Sequence, residues 1–159
     1  MEQKTIAKYL KIFSIITAVI GGIFFFWYIP VIISEMADMF KEAVFLKIPA
    51  IICILFIACL CYLALGNFWK ICTRIGNNNS FCKENAQSMK NIGKLAFVVL
   101  IMILAGTIFL LMIGFLNAAW FFVCLFTAFV ACGIAVICFA LSKLIENAAI
   151  IKEENDLTI

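Results

Sequence analysis

Four uninterrupted apolar runs limit what this chain can become. They cover about 12–33, 48–69, 95–116 and 120–142, and none of them holds a charged side chain. A hydrocarbon core about 30 Å thick is crossed by roughly 20 residues of helix, and each run meets that length. Helix is the required conformation, because a backbone amide left unpaired in hydrocarbon costs several kcal/mol. Strands of a barrel would instead place a polar residue at every second position. Composition agrees: 67% of the residues are hydrophobic and 13% are charged, too few polar side chains to cover a water-exposed domain of this size. The expectation is an all-α integral membrane four-helix bundle, a single membrane domain over residues 1–159, with the lipid bilayer as its first partner.

The first run is expected to be a retained span and not a cleaved leader. Lys4, Lys8 and Lys11 resemble the basic start of a signal peptide. The apolar stretch that follows, however, is longer than a leader's core and ends in Phe24-Phe25-Phe26-Trp27-Tyr28-Ile29-Pro30, without a small-residue cleavage pattern. Those aromatic rings suit a membrane interface.

Lysine and arginine placement sets the expected orientation. The N-terminus, the connection 70–94 and the tail 143–159 together hold ten of these cations, against Lys41 and Lys47 on the other side. By the positive-inside rule both termini and the basic loop face the cytoplasm.

Three segments outside the spans could carry specificity. Ser34–Lys47 reads as a short amphipathic helix, with Met36, Met39, Phe40 and Ala43 at helical spacing and Glu35, Asp38 and Glu42 on other faces. In the basic loop, Gly76-Asn77-Asn78-Asn79 is a turn, because glycine and asparagine tolerate left-handed backbone angles. A second amphipathic helix follows from Phe81, with Phe81, Ala86, Met89 and Ile92 as its apolar positions, and runs into the third span at Gly93. In the tail, the fourth helix is expected to continue past the membrane on a stripe of Leu141, Leu144, Ile145, Ala148 and Ile151. It ends in Glu153, Glu154, Asp156 and Leu157, an acidic cluster before an apolar end and the one partner-binding candidate in the chain.

Site chemistry is sparse. The sequence has no histidine, and its spans lack the buried charges that mark proton relays and many ion-coupled carriers. Tyr62, Asn67, Thr107 and Thr127 are the polar groups at membrane depth. They are expected to bond between helices or to their own backbone. Eight cysteines are present, six inside spans; Cys72 and Cys82 face a reducing compartment, and no pair has Cys-x-x-Cys spacing. No catalytic residue, metal site or cofactor is therefore expected, nor direct nucleic-acid binding, since the basic residues are few and pinned to the membrane surface. Gly106 with Gly114, and the steps Ala128–Cys132 and Ala131–Ala135, suggest tight packing of the last two spans across the short link Asn117-Ala118-Ala119.

Two stretches carry a resemblance. Phe81-Cys82-Lys83-Glu84-Asn85 with Ile92-Gly93, and the ending Lys152-Glu153-Glu154-Asn155-Asp156-Leu157-Thr158-Ile159, resemble the loop signature and C-terminus of a family of small bacterial four-span membrane proteins catalogued as domain of unknown function 2975. Cys82 departs from that pattern, which favours serine there. A thiol caps a helix poorly, so a looser helix start is expected. The resemblance implies no activity. Members of that family are often encoded beside a very small helix-turn-helix regulator, which implies a docking role for the acidic tail.

Three functional readings follow. The first is a non-enzymatic sensor or tether that holds such a regulator at the membrane. The second is self-protection against membrane-active peptides, or carriage of an apolar small molecule, suggested by the aromatic end of the first span and the amphipathic loop after it. A membrane enzyme ranks last, because no titratable cluster faces a common pocket. The orientation is directly testable. A fluorescent protein fused to either terminus should fold and fluoresce, and alkaline phosphatase inserted at Asn117 should be active. The inverse pattern would reverse the topology.

Overall fold

In a computed structural model the chain is described over residues 3–39 and 41–157, with backbone only at 36–39, 41–43 and 156–157. Helix α1 (Gln3–Ile23) passes through a π-helical turn, Phe24–Tyr28, into α2 (Ile29–Met39). A 3₁₀ segment (Lys41–Leu46) leads to α3 (Lys47–Gly76), and α4 (Lys83–Met112) and α5 (Ala118–Leu157) follow. Four helices, Gln3–Glu35, Val44–Gly76, Lys83–Met112 and Ala118–Asn155, are long and apolar enough to cross a bilayer.

The π-turn has an identifiable cause. Pro30 has no N–H and its ring crowds the turn before it, so a regular α-helix through this point would be strained. The wider turn just upstream accommodates that ring, and the Ile29 N–H bonds back to the Phe24 carbonyl in the five-residue π pattern. The amphipathic helix expected over Ser34–Lys47 is not a separate element. Its first half is the end of α2 and its second half is the 3₁₀ segment. The side chains of its expected apolar face, Met36, Met39, Phe40 and Ala43, lie outside the described residues.

Helices α3 and α4 end in the same way. The Asn78 backbone is left-handed (φ 59°); its N–H reaches Ile75 O at 3.1 Å and the Asn79 N–H reaches Arg74 O at 3.0 Å. Gly114 repeats the device at the end of α4 with φ 74°, its N–H on Leu111 O at 3.1 Å and the Phe115 N–H on Leu110 O at 3.2 Å. Each satisfies carbonyls that a helix end would otherwise leave unpaired. The third span thus stops at Met112 rather than near 116, and Gly114 serves chain reversal instead of the packing face it was expected to share with Gly106.

The bundle is open. Helices pack in chain order, α1 on α3, α3 on α4 and α4 on α5, and among the described residues nothing joins α1 to α5. In lipid there is no hydrophobic force to close the ring, so helices associate where small residues or polar groups permit it. The α4–α5 seam shows this most clearly. Ala128, Ala131, Ala135, Cys138 and Ser142 are all buried, at alternating steps of three and four, and Ala149 follows seven residues on. Ala131 and Ala135 therefore pack as expected, whereas Cys132 is exposed. Opposite them, a Cβ on Gly93 would lie 3.3 Å from the Cys138 Cβ and from the Phe139 ring.

The membrane-depth polar groups behave as their chemistry suggests. Tyr62 donates across helices to Ala18 O at 2.7 Å. Asn67, Thr107 and Thr127 donate to the carbonyls four residues earlier, Leu63, Ile103 and Val123. Gly22 makes room for the Tyr62 hydroxyl, 3.0 Å from where a Cβ would stand.

Gly93→Leu should overfill the α4–α5 seam at a cost of about 1–3 kcal/mol, read as a lowered thermal midpoint in detergent. Gly106→Leu, which meets nothing within 4 Å, should leave the midpoint unchanged or raise it.

Candidate functional site

A turn without a glycine or serine cap has to be held some other way, and α4 begins on such a turn. Cys82 is the N-cap residue, extended at φ −141° and ψ 154°, and its side chain makes no capping hydrogen bond. The backbone N–H groups of Asn85 and Ala86 return to Cys82 O at 3.0 and 3.2 Å. The Asn85 side chain, fully buried, then ties the preceding loop down by donating to Ser80 O at 2.9 Å and Asn79 O at 3.3 Å. Its Oδ1 in turn accepts from Arg74 at 3.3 Å. The same Arg74 nitrogen lies 3.0 Å from Ser88 Oγ and 3.3 Å from Glu84 O. The helix start is therefore fixed from α3 and from its own third residue, not loosened by the thiol. One helical turn further on, Ser142 of α5 donates to Ala86 O at 2.8 Å.

This polar knot was missed in the sequence, where Phe81, Ala86, Met89 and Ile92 marked the apolar face of the helix. Ala86 and Ile92 are buried, but Phe81 is exposed and precedes the helix, and Asn85 and Ser88 occupy buried positions instead. A signal was present. Arg74 is the chain's single arginine among twelve basic residues. A guanidinium fork serves several acceptors at once, which an ammonium on a flexible stem does less well.

The knot sets the position of a groove beside it. Phe81, Cys82, Lys83 and Glu84 at the start of α4 face Ala149, Lys152 and Glu153 near the end of α5, around a volume of about 320 Å³. Lys83 Nζ donates to Glu153 Oε2 at 2.6 Å across it, in a pair that is largely exposed on both sides. Glu153 holds the Lys83 ammonium above its ordinary pKa range. Glu84 lies below the usual carboxylate range, first through the N–H of its own backbone and then through the Cys82 thiol. The Cys82 thiol itself is pushed up, chiefly by burial. The Lys83 contribution is present below the ordinary lysine range and fades as pH rises through its raised value. The Glu84 contribution is present above the ordinary carboxylate range and fades as pH falls through its lowered value. Between those limits both charges persist.

Helix α5 does continue past the fourth apolar run, to Leu157. The face it turns to α4 there is Ser142 and Ala149, while Leu141, Leu144 and Ile151 of the expected stripe are exposed. Of the four tail candidates, Glu153 spans the groove and Glu154 is exposed one residue on. Asp156 and Leu157 are helical in backbone, and their side chains lie outside the described residues. All eight cysteines are free thiols, and no group of three or more metal-ligating side chains gathers among the described residues.

Parts of both stretches that carried the resemblance, residues 81–84 of the loop signature and Lys152 with Glu153 of the tail, thus line one groove. The family model for Protein of unknown function (DUF2975) matches residues 31–159. The chain belongs to that family. Its match leaves out most of the first span and takes in the knot, the α4–α5 seam and the groove. An Uncharacterized membrane protein, YoaS of Bacillus subtilis (strain 168), is 31% identical over 133 residues, covering 82% of this chain and 83% of that protein. No solved structure matches. With four helices able to cross a bilayer and a membrane protein as relative, this member of the DUF2975 family is a multi-pass membrane protein.

Asn85→Leu should remove the partner of Arg74 and of the Ser80 carbonyl while keeping the volume. Leaving buried polar groups unpaired costs about 1–3 kcal/mol, so the thermal midpoint in detergent should fall. Lys83→Met, which breaks only an exposed pair, should leave it unchanged.

Proposed function

We propose that this protein is a non-enzymatic membrane component, with both termini in the cytoplasm, that holds a small helix-turn-helix regulator against the groove between α4 and α5. The observation that carries this reading is spatial. The loop signature and the tail, far apart in the sequence, meet there through Lys83 and Glu153. A groove of mixed charge with an exposed aromatic ring, Phe81, at its rim suits a protein surface better than a small apolar molecule. Glu153, Glu154, Asp156 and Leu157 are the proposed contacts. Their acidity complements a DNA-binding partner, whose surface is expected to be basic. A helix end that projects past the bilayer offers such a partner an anchor read from one face.

Because the Lys83–Glu153 pair is exposed, a partner's cation can displace Lys83 at little cost. Recruitment then competes with the clasp, and opening the clasp is the sensor step in this reading. The competing reading, protection against membrane-active peptides or carriage of an apolar molecule, would use the groove at the other end of the bundle, lined by Phe26, Trp27, Pro30, Val31, Ser34 and Glu35.

The test is co-purification from native membranes in mild detergent, with full-length protein beside a version ending at Ala149. A small helix-turn-helix protein should accompany only the intact chain. The exchange Lys83→Glu with Glu153→Lys keeps a clasp but inverts the charge at position 153 and removes the tail's net negative charge, and should abolish recruitment without lowering the thermal midpoint. Equal recovery of the regulator with and without the tail, or no regulator with either, would overturn the tether and turn attention to the aromatic groove.

A further inference from the structure

A second groove near the terminal end of the bundle differs from the first in its charge. It lies between the start of α1 and the end of α3, with a volume of about 350 Å³. Its cations are Lys4, Lys8 and Lys11, and among the described residues no acidic side chain lines it. The α4–α5 groove, by contrast, sets Lys83 and Lys152 against Glu84 and Glu153. The three lysines are spaced four and three residues apart, so they project from one side of α1. Among the described residues none of them is in an ion pair, and Lys11 rests over the Trp69 ring at 5.5 Å to its centroid.

The groove also changes character along its length. Beyond Lys11 its lining becomes Ile12 and Ile15, already inside the first apolar run. From Lys4 to Ile15 the helix rises about 16 Å at 1.5 Å per residue, enough to pass from the headgroup layer into hydrocarbon. A free anion would use only the first part of this surface. A molecule with an anionic head and an acyl chain would use all of it. Within the groove the two helices come close at Gly76, where a Cβ would stand 3.3 Å from the Ala7 Cβ. On the α3 side, Thr73 spends its hydroxyl proton on Trp69 O at 3.1 Å, leaving the lysines as the charge-recognising groups.

We propose that this groove is a binding site for an anionic phospholipid, with Lys4, Lys8 and Lys11 on its headgroup phosphate and Ile12 and Ile15 along its chain. The site is independent of the tail and of any regulator, and all three of its lysines lie outside the residues that the DUF2975 family model matches. Basic residues beside a membrane each add to attraction for anionic lipid, but a diffuse layer of charge would not single out these three from Lys90, Lys94 and Lys143.

The experiment follows the thermal midpoint of the full-length protein in neutral detergent as phosphatidylglycerol, phosphatidylcholine or inorganic phosphate is added. Phosphatidylglycerol alone should raise it in a saturable way. The Lys4→Gln, Lys8→Gln, Lys11→Gln variant should need roughly tenfold more lipid or greater, and its arginine counterpart should respond like the original chain. Lys90→Gln, Lys94→Gln, Lys143→Gln should also respond like the original. An equal shift with phosphatidylcholine, or with inorganic phosphate, would overturn the proposal. So would an undiminished phosphatidylglycerol response in the glutamine variant, or equal loss in the control triple.

Discussion

The antiparallel contact of α4 with α5 is the interaction on which the rest of the structure depends. In hydrocarbon, two helices gain little by burying leucine against leucine, because lipid tails offer the same surroundings. They gain by coming close, and the buried residues Ala128, Ala131, Ala135 and Ala149 on one side and Gly93 on the other allow it. Regular spacing then extends the seam beyond the apolar run. Ser142 reaches Ala86 O, and farther along Glu153 reaches Lys83. Without this seam the tail would leave the membrane alone, and the groove would have only one wall.

The connection before α4 depends on a different force. Asn85 and Arg74 hold a polar knot, and among the described residues no buried side-chain nitrogen or oxygen lacks a hydrogen-bond partner. Such a network is stabilising only when complete. Its position explains why the loop signature ends in asparagine: the amide satisfies the Ser80 and Asn79 carbonyls with one end and Arg74 with the other. The first span is attached more lightly, through Tyr62 on Ala18 O, through the close approach of Ala7 to Gly76, and through the Lys11–Trp69 contact. That lighter attachment leaves a cationic groove between α1 and α3, whereas the tightly seamed pair α4–α5 leaves one of balanced charge. The two grooves therefore differ in charge, with three lysines in one and two lysines against two glutamates in the other.

Much of this was legible in the chain itself. Four charge-free runs determined four helices, because length and hydrocarbon leave no other conformation. Gly76-Asn77-Asn78-Asn79 determined a reversal, since its asparagine accepts a left-handed backbone, whereas the sequence left Tyr62, Asn67, Thr107 and Thr127 to bond either between helices or to their own backbone, and the structure gives Tyr62 the first and the other three the second. The site was less legible. The tail acids and the loop signature could be singled out, but their meeting could not be deduced from a separation of 70 residues between Lys83 and Glu153. Helical periodicity also misled at the loop helix, where apolar residues marked one face and the buried positions went to Asn85 and Ser88. A polar residue is buried when a partner waits for it, and that partner, Arg74, comes from another helix.

The sequence by itself determined the solvent of this protein, the number of its membrane-length helices and the turn at Gly76-Asn77-Asn78-Asn79, because each follows from local chemistry: transfer to lipid, backbone hydrogen bonding and the angles that glycine and asparagine allow. Only the tertiary structure decided that the bundle stays open, that Pro30 is absorbed by a π-turn at Phe24–Tyr28, and that the loop signature and tail share one groove. Those outcomes depend on which helix faces which, and that depends on the fit of small residues and buried polar partners distant in the chain.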